Sequence, residues 1–391
     1  MPESATIEYP ASPVVERLHY LDVARAVLLL LGIPYHAAQP YSSRAWFIHS
    51  ETYSRLAELA GGFSHAFRMH AFFLVAGYFA TLIVRKRGLR AWLSDRARRL
   101  VIPFLAMLVI VLPLQAMILG MFENGGALGG LVRMRDDLRL WVAHSWFLRD
   151  LFLYCAILAL AWPLVSRLRW RIGGWQLLTA IVAALLVWKL AVNLLVTALV
   201  TRINPIAAYD LGTFLRFLPL FGIGALIAAV PGLLASVTRY SGWGVALAVA
   251  WLGLSALLIH RDDFGLGAAM LLGPINGLVG SWALIAVARR FLDRPSPLVD
   301  YFVASALIIY IVHLAFIFLF TGLLRGTGVP PTLAWLLVSA LTLAGCVLVY
   351  EAIRRVPALY FLFNGQADRK PMPSGKAPSA KRKDDGDEAL A

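Results

Sequence analysis

Arg25 and His36 stand eleven residues apart inside one apolar run, residues 20–38. A charged side chain in lipid costs about 2.5 kcal/mol or more, so such residues are rare and usually functional. On a helix that spacing returns to within about 20° of the same face and separates the two by about 16 Å along the axis. One face thus carries a cation toward one membrane surface and a titratable base toward the other. This pairing suits a charged ligand held from one side and proton chemistry near the other. Asp22, three residues before Arg25, is the expected partner that makes the arginine tolerable. Pro34 removes a backbone donor, so the helix is expected to be disturbed just before His36.

The elements that must position these groups are membrane spans. The chain has 391 residues, of which 60% are hydrophobic and only 15% charged, well away from the balance of a soluble domain. Ten apolar runs are long enough to cross a bilayer: 20–38, 67–84, 100–121, 146–165, 176–199, 212–230, 241–259, 266–288, 303–324 and 332–353. The expected fold is an all-α polytopic bundle of about ten transmembrane helices, residues 20–363. It is flanked by a cytoplasmic segment, 1–19, and a polar, disordered cytoplasmic tail, 364–391. The first apolar run is too long for a cleavable signal peptide, holds Arg25, and lacks a small-residue cleavage site. The net charge of +14 follows orientation and does not point to nucleic acid. With both termini in the cytoplasm, inner segments hold 23 Lys and Arg and outer segments 8. Cys155 and Cys346 both fall inside spans and form neither a metal-ligand spacing nor a disulfide framework.

In this topology Arg68, Arg149 and Arg216 share the outer third of the bilayer with His36. Snorkelling explains one such arginine; three suggest the lining of an anionic or polar cavity. His313 lies near mid-membrane, as a site residue or as a hydrogen-bonded packing residue. Lys189 is also near mid-membrane and takes no specific role. Segment 39–66 reads as a long outer loop holding Tyr41, Trp46, His49, Glu51, Glu58 and His65, a mixture able to cover sugar C–H faces and accept from hydroxyls. A second outer loop, 122–145, is rich in Arg and Asp. The inner loop 85–99 carries seven cations in fifteen residues. Arg96 and Arg99, three apart, are expected to share a face and to bind phosphate; anionic lipid headgroups and orientation are the competing explanation.

These residues also carry a resemblance. Leu21-Asp22-Val-Ala-Arg25, followed by His36, resembles the signature of the acyltransferase-3 family of membrane acyltransferases. Phe72-Phe73-Leu-Val-Ala-Gly77-Tyr78-Phe79, Arg96-Ala-Arg-Arg99 with Pro103, His144-Ser-Trp146-Phe147-Leu148, and Ser305 with Tyr310 and His313 resemble its later motifs in order. Ala76 stands where a serine is more usual. Within the family, Leu-Gly-Ile-Pro34-Tyr-His36, Tyr41-Ser-Ser43, Ser64-His65-Ala-Phe-Arg68-Met69 and Tyr350-Glu351-Ala-Ile-Arg-Arg-Val-Pro357 are similar to members that succinylate osmoregulated periplasmic glucans.

The resemblance implies an O-succinyltransferase of the bacterial inner membrane, with succinyl-CoA or another acyl-CoA as donor and a periplasmic glucan as acceptor. It implies no tightly bound cofactor and no metal; membrane lipids and other glucan-biosynthesis proteins are the further partners. His36 is then the general base, Asp22 and His313 complete the catalytic set, and Arg25, Arg96 and Arg99 hold the donor. Arg68, Arg149, Arg216, Trp146 and Tyr310 bind substrate. The alternatives are an acetyltransferase of another surface polysaccharide and a transporter of a sugar or anion; the absence of an obvious internal repeat weakens the transporter.

Overall fold

The computed structural model describes residues 18–366 apart from 45, 124, 168–174, 231 and 260–265. Most of the flanking segments 1–19 and 364–391 therefore lie outside the described residues. Among the described residues there are helices and no strand, as expected for chains whose backbone must satisfy itself in lipid. In chain order they are α1 (His19–Leu30), α2 (Gly32–Ala38), α3 (Arg55–Arg87), α4 (Leu89–Ala106), α5 (Leu112–Phe122), α6 (Gly126–Asp136), α7 (Leu138–Val142) and α8 (Trp146–Val165). There follow α9 (Trp175–Val200), α10 (Pro205–Ala229), α11 (Leu233–Val237), α12 (Gly242–Ile259), α13 (Leu266–Phe291), α14 (Pro297–Leu324), α15 (Pro331–Ile353) and α16 (Pro357–Asn364).

Nine helical spans among the described residues are long and apolar enough to cross a membrane, and Gly242–Leu258 is a shorter apolar helix at the seventh expected position. The chain is a polytopic membrane helix bundle. The first span breaks at Leu31, between α1 and α2. Pro34 brings this about by removing an N–H, and its own carbonyl accepts from the Trp335 indole at 2.9 Å. A one-turn π segment, Met107–Val111, joins α4 to α5 ahead of Pro113, the usual way a proline is absorbed within a long span.

Three segments differ from the loops expected. The second span begins at Arg55, twelve residues early, because Ser54 caps it by accepting from Ala57 N–H at 3.1 Å. Glu58 and His65 are therefore helical, and Arg68 lies more than three turns inside α3 rather than at its start. Segment 122–145 folds into α6 and α7, and α6 packs back on α5 where Gly120 and Gly130 leave no Cβ between the backbones. In the cation-rich inner segment the half that carries Arg96 and Arg99 is helical and continues into the third span, as a shared face requires; the first half is helical too, and Gly88, at φ +79°, turns α3 directly into α4.

The centre of the bundle is the crossing of α3 and α10. A Cβ at Gly77 would overlap the Phe221 carbonyl, and one at Gly224 would overlap the Leu74 carbonyl. Small residues permit this approach, the usual device where lipid supplies no hydrophobic drive. Aromatic rings from α3, α8 and α10 fill the space beside it: Phe73 stacks on Phe217 at 5.3 Å and meets Tyr154 edge-on at 5.1 Å. Arg85 donates to the Ala228 and Ala229 carbonyls at 3.1 Å, so part of the inner cation cluster caps a helix C-terminus.

Candidate active site

α2, α3, α8, α10 and α14 enclose a cavity of about 290 Å³. Its lining joins His36 from α2, His65 and Arg68 from α3, His144 before α8, Trp146 from α8, Arg216 from α10, and Tyr310 and His313 from α14. The sequence separates His36 from His313 by most of the chain, yet their rings lie 5.1 Å apart, and His313 lies 5.1 Å from His144. Tyr35 extends the cluster, stacking on His65 at 5.1 Å and meeting His36 edge-on at 4.7 Å. Among the described residues no three such side chains form a metal-binding group.

Hydrogen bonds fix two of the imidazoles. His313 Nδ1–H donates to the Tyr310 carbonyl at 2.6 Å; a carbonyl can only accept, so neutral His313 presents a bare Nε2, buried and without a partner. His144 Nε2–H donates to the Ile311 carbonyl at 3.1 Å, leaving Nδ1 bare. The Tyr310 hydroxyl donates to the His144 carbonyl. Ala143, just before it, takes φ +30°, the one positive φ among non-glycine described residues. Such backbone strain persists where surrounding contacts demand it; here it turns His144 under α14. Burial holds the His144 imidazole well below the usual histidine range, with His313 adding to the effect. His36 Nδ1 is buried and unpartnered.

Arg68 is the enclosed cation of this cavity. It is 8% exposed, its Nε has no partner, and its guanidinium lies over the Tyr35 ring at 4.7 Å. Gly32 makes room for it, since a Cβ there would sit 2.8 Å from an Arg68 Nη. Arg149 lies outside the cavity. It donates to Asp210 at 2.6 Å and to Asp150 at 2.7 Å, joining α8 to α10. Both acids compete for its guanidinium, and no local spacing in the sequence places Asp210 beside it.

A smaller cavity of about 100 Å³ lies further along α1 and α3 and is lined by Arg25, Arg96 and Cys155. Asp22 pairs with Arg25 at 3.6 Å. At about 1.5 Å per residue it lies about 21 Å along the helix from His36, so it orients Arg25 and does not touch the imidazole cluster. Arg96 and Arg99 do not share this lining. Arg99 turns to Asp95 at 3.1 Å and to the Gln366 side chain after α16. Phe72 lines both cavities. Sequence alone gives no reason to place His144 in the site, and it puts His65 in a loop. The spacing of His65 and Arg68, three residues apart on one helix, was the available signal for the latter.

Residues 18–351 match the family described as Acyltransferase domain. The chain is 30% identical to Glucans biosynthesis protein C of Escherichia coli strain K12 over 394 aligned positions, covering 90% of this chain and 95% of that protein. The same values hold for Glucans biosynthesis protein C of Escherichia coli O157:H7. No solved structure matches the chain.

Proposed function

Because this chain belongs to the acyltransferase-3 family of membrane acyltransferases, we propose that it moves a succinyl group from cytoplasmic succinyl-CoA to a hydroxyl of a periplasmic glucan. The observation that carries this reading is the pair of cavities divided by Phe72. One holds two arginines suited to the donor's phosphates; the other holds the imidazoles and Arg68. The separation of Arg25 from His36, about 16 Å along the helix, is comparable to the reach of a pantetheine arm. With both termini in the cytoplasm of the inner membrane, as the charge asymmetry favours, the arginine cavity faces the side where acyl-CoA is made.

In this reading His36 takes the proton of the acceptor hydroxyl as its oxygen attacks the thioester carbonyl. The tetrahedral intermediate collapses, the C–S bond breaks, and the CoA sulfur leaves and recovers the proton from His36. His313, locked with its Nε2 lone pair facing inward, positions His36 or the acceptor hydroxyl. Trp146 and the Tyr310 ring offer apolar faces to a sugar. Arg25 and Arg96 hold the donor from the other side, with Asp22 orienting Arg25; Arg99, three residues from Arg96 on α4, adds positive charge outside that lining. Arg68 pairs with the free carboxylate of the succinyl group, which could not be buried alone, and Arg216 shares that wall. The name of the relatives supports a glucan as acceptor.

The test is reconstitution. Full-length protein in sealed vesicles receives succinyl-CoA on the cytoplasmic face and glucan on the other, and products are read by mass spectrometry. Succinylated glucan supports the reading. Transfer of acetyl but never succinyl would replace it with an acetyltransferase.

A further inference from the structure

A second cavity, of about 580 Å³, lies beside the imidazole cluster between α3, α9, α10 and α13. It follows α9 from Leu185 to Val200, about 22 Å at 1.5 Å per residue. His65, Arg216 and Phe217 line both cavities, so the two adjoin at that point. The reaction outlined above leaves this space and Lys189 unused.

Its charge is one-sided. Arg44, Lys189 and Arg216 line it, and no carboxylate does. None of the three makes a hydrogen bond or ion pair among the described residues. Lys189 lies midway along the span Thr179–Val200, where an ammonium is costly unless paired. Two further polar groups in the lining lack partners. His70 is 8% exposed with Nδ1 unsatisfied, and the Asn193 amide nitrogen is buried and free to donate. An apolar occupant would leave the buried His70 Nδ1 and Asn193 amide nitrogen without partners and set apolar surface against the half-buried Lys189 ammonium, while Arg44 and Arg216, both exposed, stand at its edge. A single carboxylate would leave most of the positive charge uncompensated. A phosphate group brings more negative charge and several acceptor oxygens.

We infer that this cavity is a binding site for a phosphate ester, held by Arg44, Lys189 and Arg216 with Asn193 donating, whose hydroxyl-bearing part reaches the imidazoles past His65. Two sources share that chemistry: a soluble phosphate ester, and the headgroup of an anionic phospholipid with its tails along Val192, Val196 and Leu220. The site stands independently of the succinyl reading, because it can be measured with no acyl donor present.

The experiment uses purified full-length protein in a neutral detergent with two probes, glycerol phosphate and dioctanoyl-phosphatidylglycerol, read by isothermal titration calorimetry. Lys189→Met should weaken binding about tenfold and Lys189→Arg should restore it. Arg44→Gln should weaken it as well. Acyl-CoA affinity, measured on the same samples, should not move; Lys189→Met removes a charge from the membrane interior, so the variant keeps its fold. Binding of both probes identifies a soluble ester as sufficient. Binding of the lipid alone identifies a headgroup site. Binding of neither, or binding indifferent to Lys189, overturns the inference. So does an equal loss of acyl-CoA affinity, which would place Lys189 with the donor.

Discussion

Replacing Arg68 by glutamine tests what the reaction cavity recognises. Arg68 is almost fully enclosed, its Nε has no partner, and it stacks on Tyr35 without an acid beside it. If it receives the succinyl carboxylate, truncation leaves that charge buried and unpaired. Removing one member of a buried, hydrogen-bonded charge pair costs about 2–5 kcal/mol. Glutamine keeps one donor, so the lower part of that range applies: about 2–3 kcal/mol, or about 30- to 150-fold in kcat/KM. Acetyl-CoA carries no carboxylate, so its transfer should fall by less than about tenfold. The assay offers equal succinyl-CoA and acetyl-CoA to the wild type and to Arg68→Gln and reads both products by mass spectrometry. Gly32→Ala, which crowds the same guanidinium, should shift the ratio in the same direction. Equal loss of both products would refute the pairing and make Arg68 a scaffold residue or an acceptor contact.

Three further outcomes are expected. Phe72→Ala should open the partition between the two cavities and raise acyl-CoA hydrolysis in the absence of glucan, measured as free thiol; no rise would mean that the donor takes another route. Gly224→Val forces a side chain into the α3 backbone and should cost about 1–3 kcal/mol by overpacking, read as a lower Tm in detergent. Stability should fall as pH drops below about 6.5, because the unfolded chain then binds a proton at His144 that the folded protein refuses. His144→Gln, whose amide can still donate to the Ile311 carbonyl, should flatten that slope.

Much of the fold was legible because lipid imposes a simple rule. Runs of about 20 apolar residues must be helices, and the charges that interrupt them stand out. That is why His36, Arg68 and His313 were visible as candidates and do meet in one cavity. Hydropathy was blind to helical turns outside the apolar run. Ser54 starts α3 in a polar stretch, and α6 is carried by glycine-rich sequence, so neither shows a hydropathy signal. Pairing across the chain was also hidden. Asp210 lies sixty-one residues from Arg149, and no local spacing announces their ion pair. His144 sits in a short motif with no local sign of a site partner. Its bond to the Ile311 carbonyl, 167 residues away, exists only once α14 packs over it.

His36 is proposed to remove the acceptor proton during acyl transfer. The most direct measurement is single-turnover transfer from acyl-CoA to glucan by wild-type and His36→Ala protein, with acyl-CoA binding measured on the same preparations. A lost general base lowers the rate by about 10²- to 10⁴-fold, with donor affinity unchanged. Transfer at near wild-type rate by a folded His36→Ala protein would contradict the account and move the base to His313.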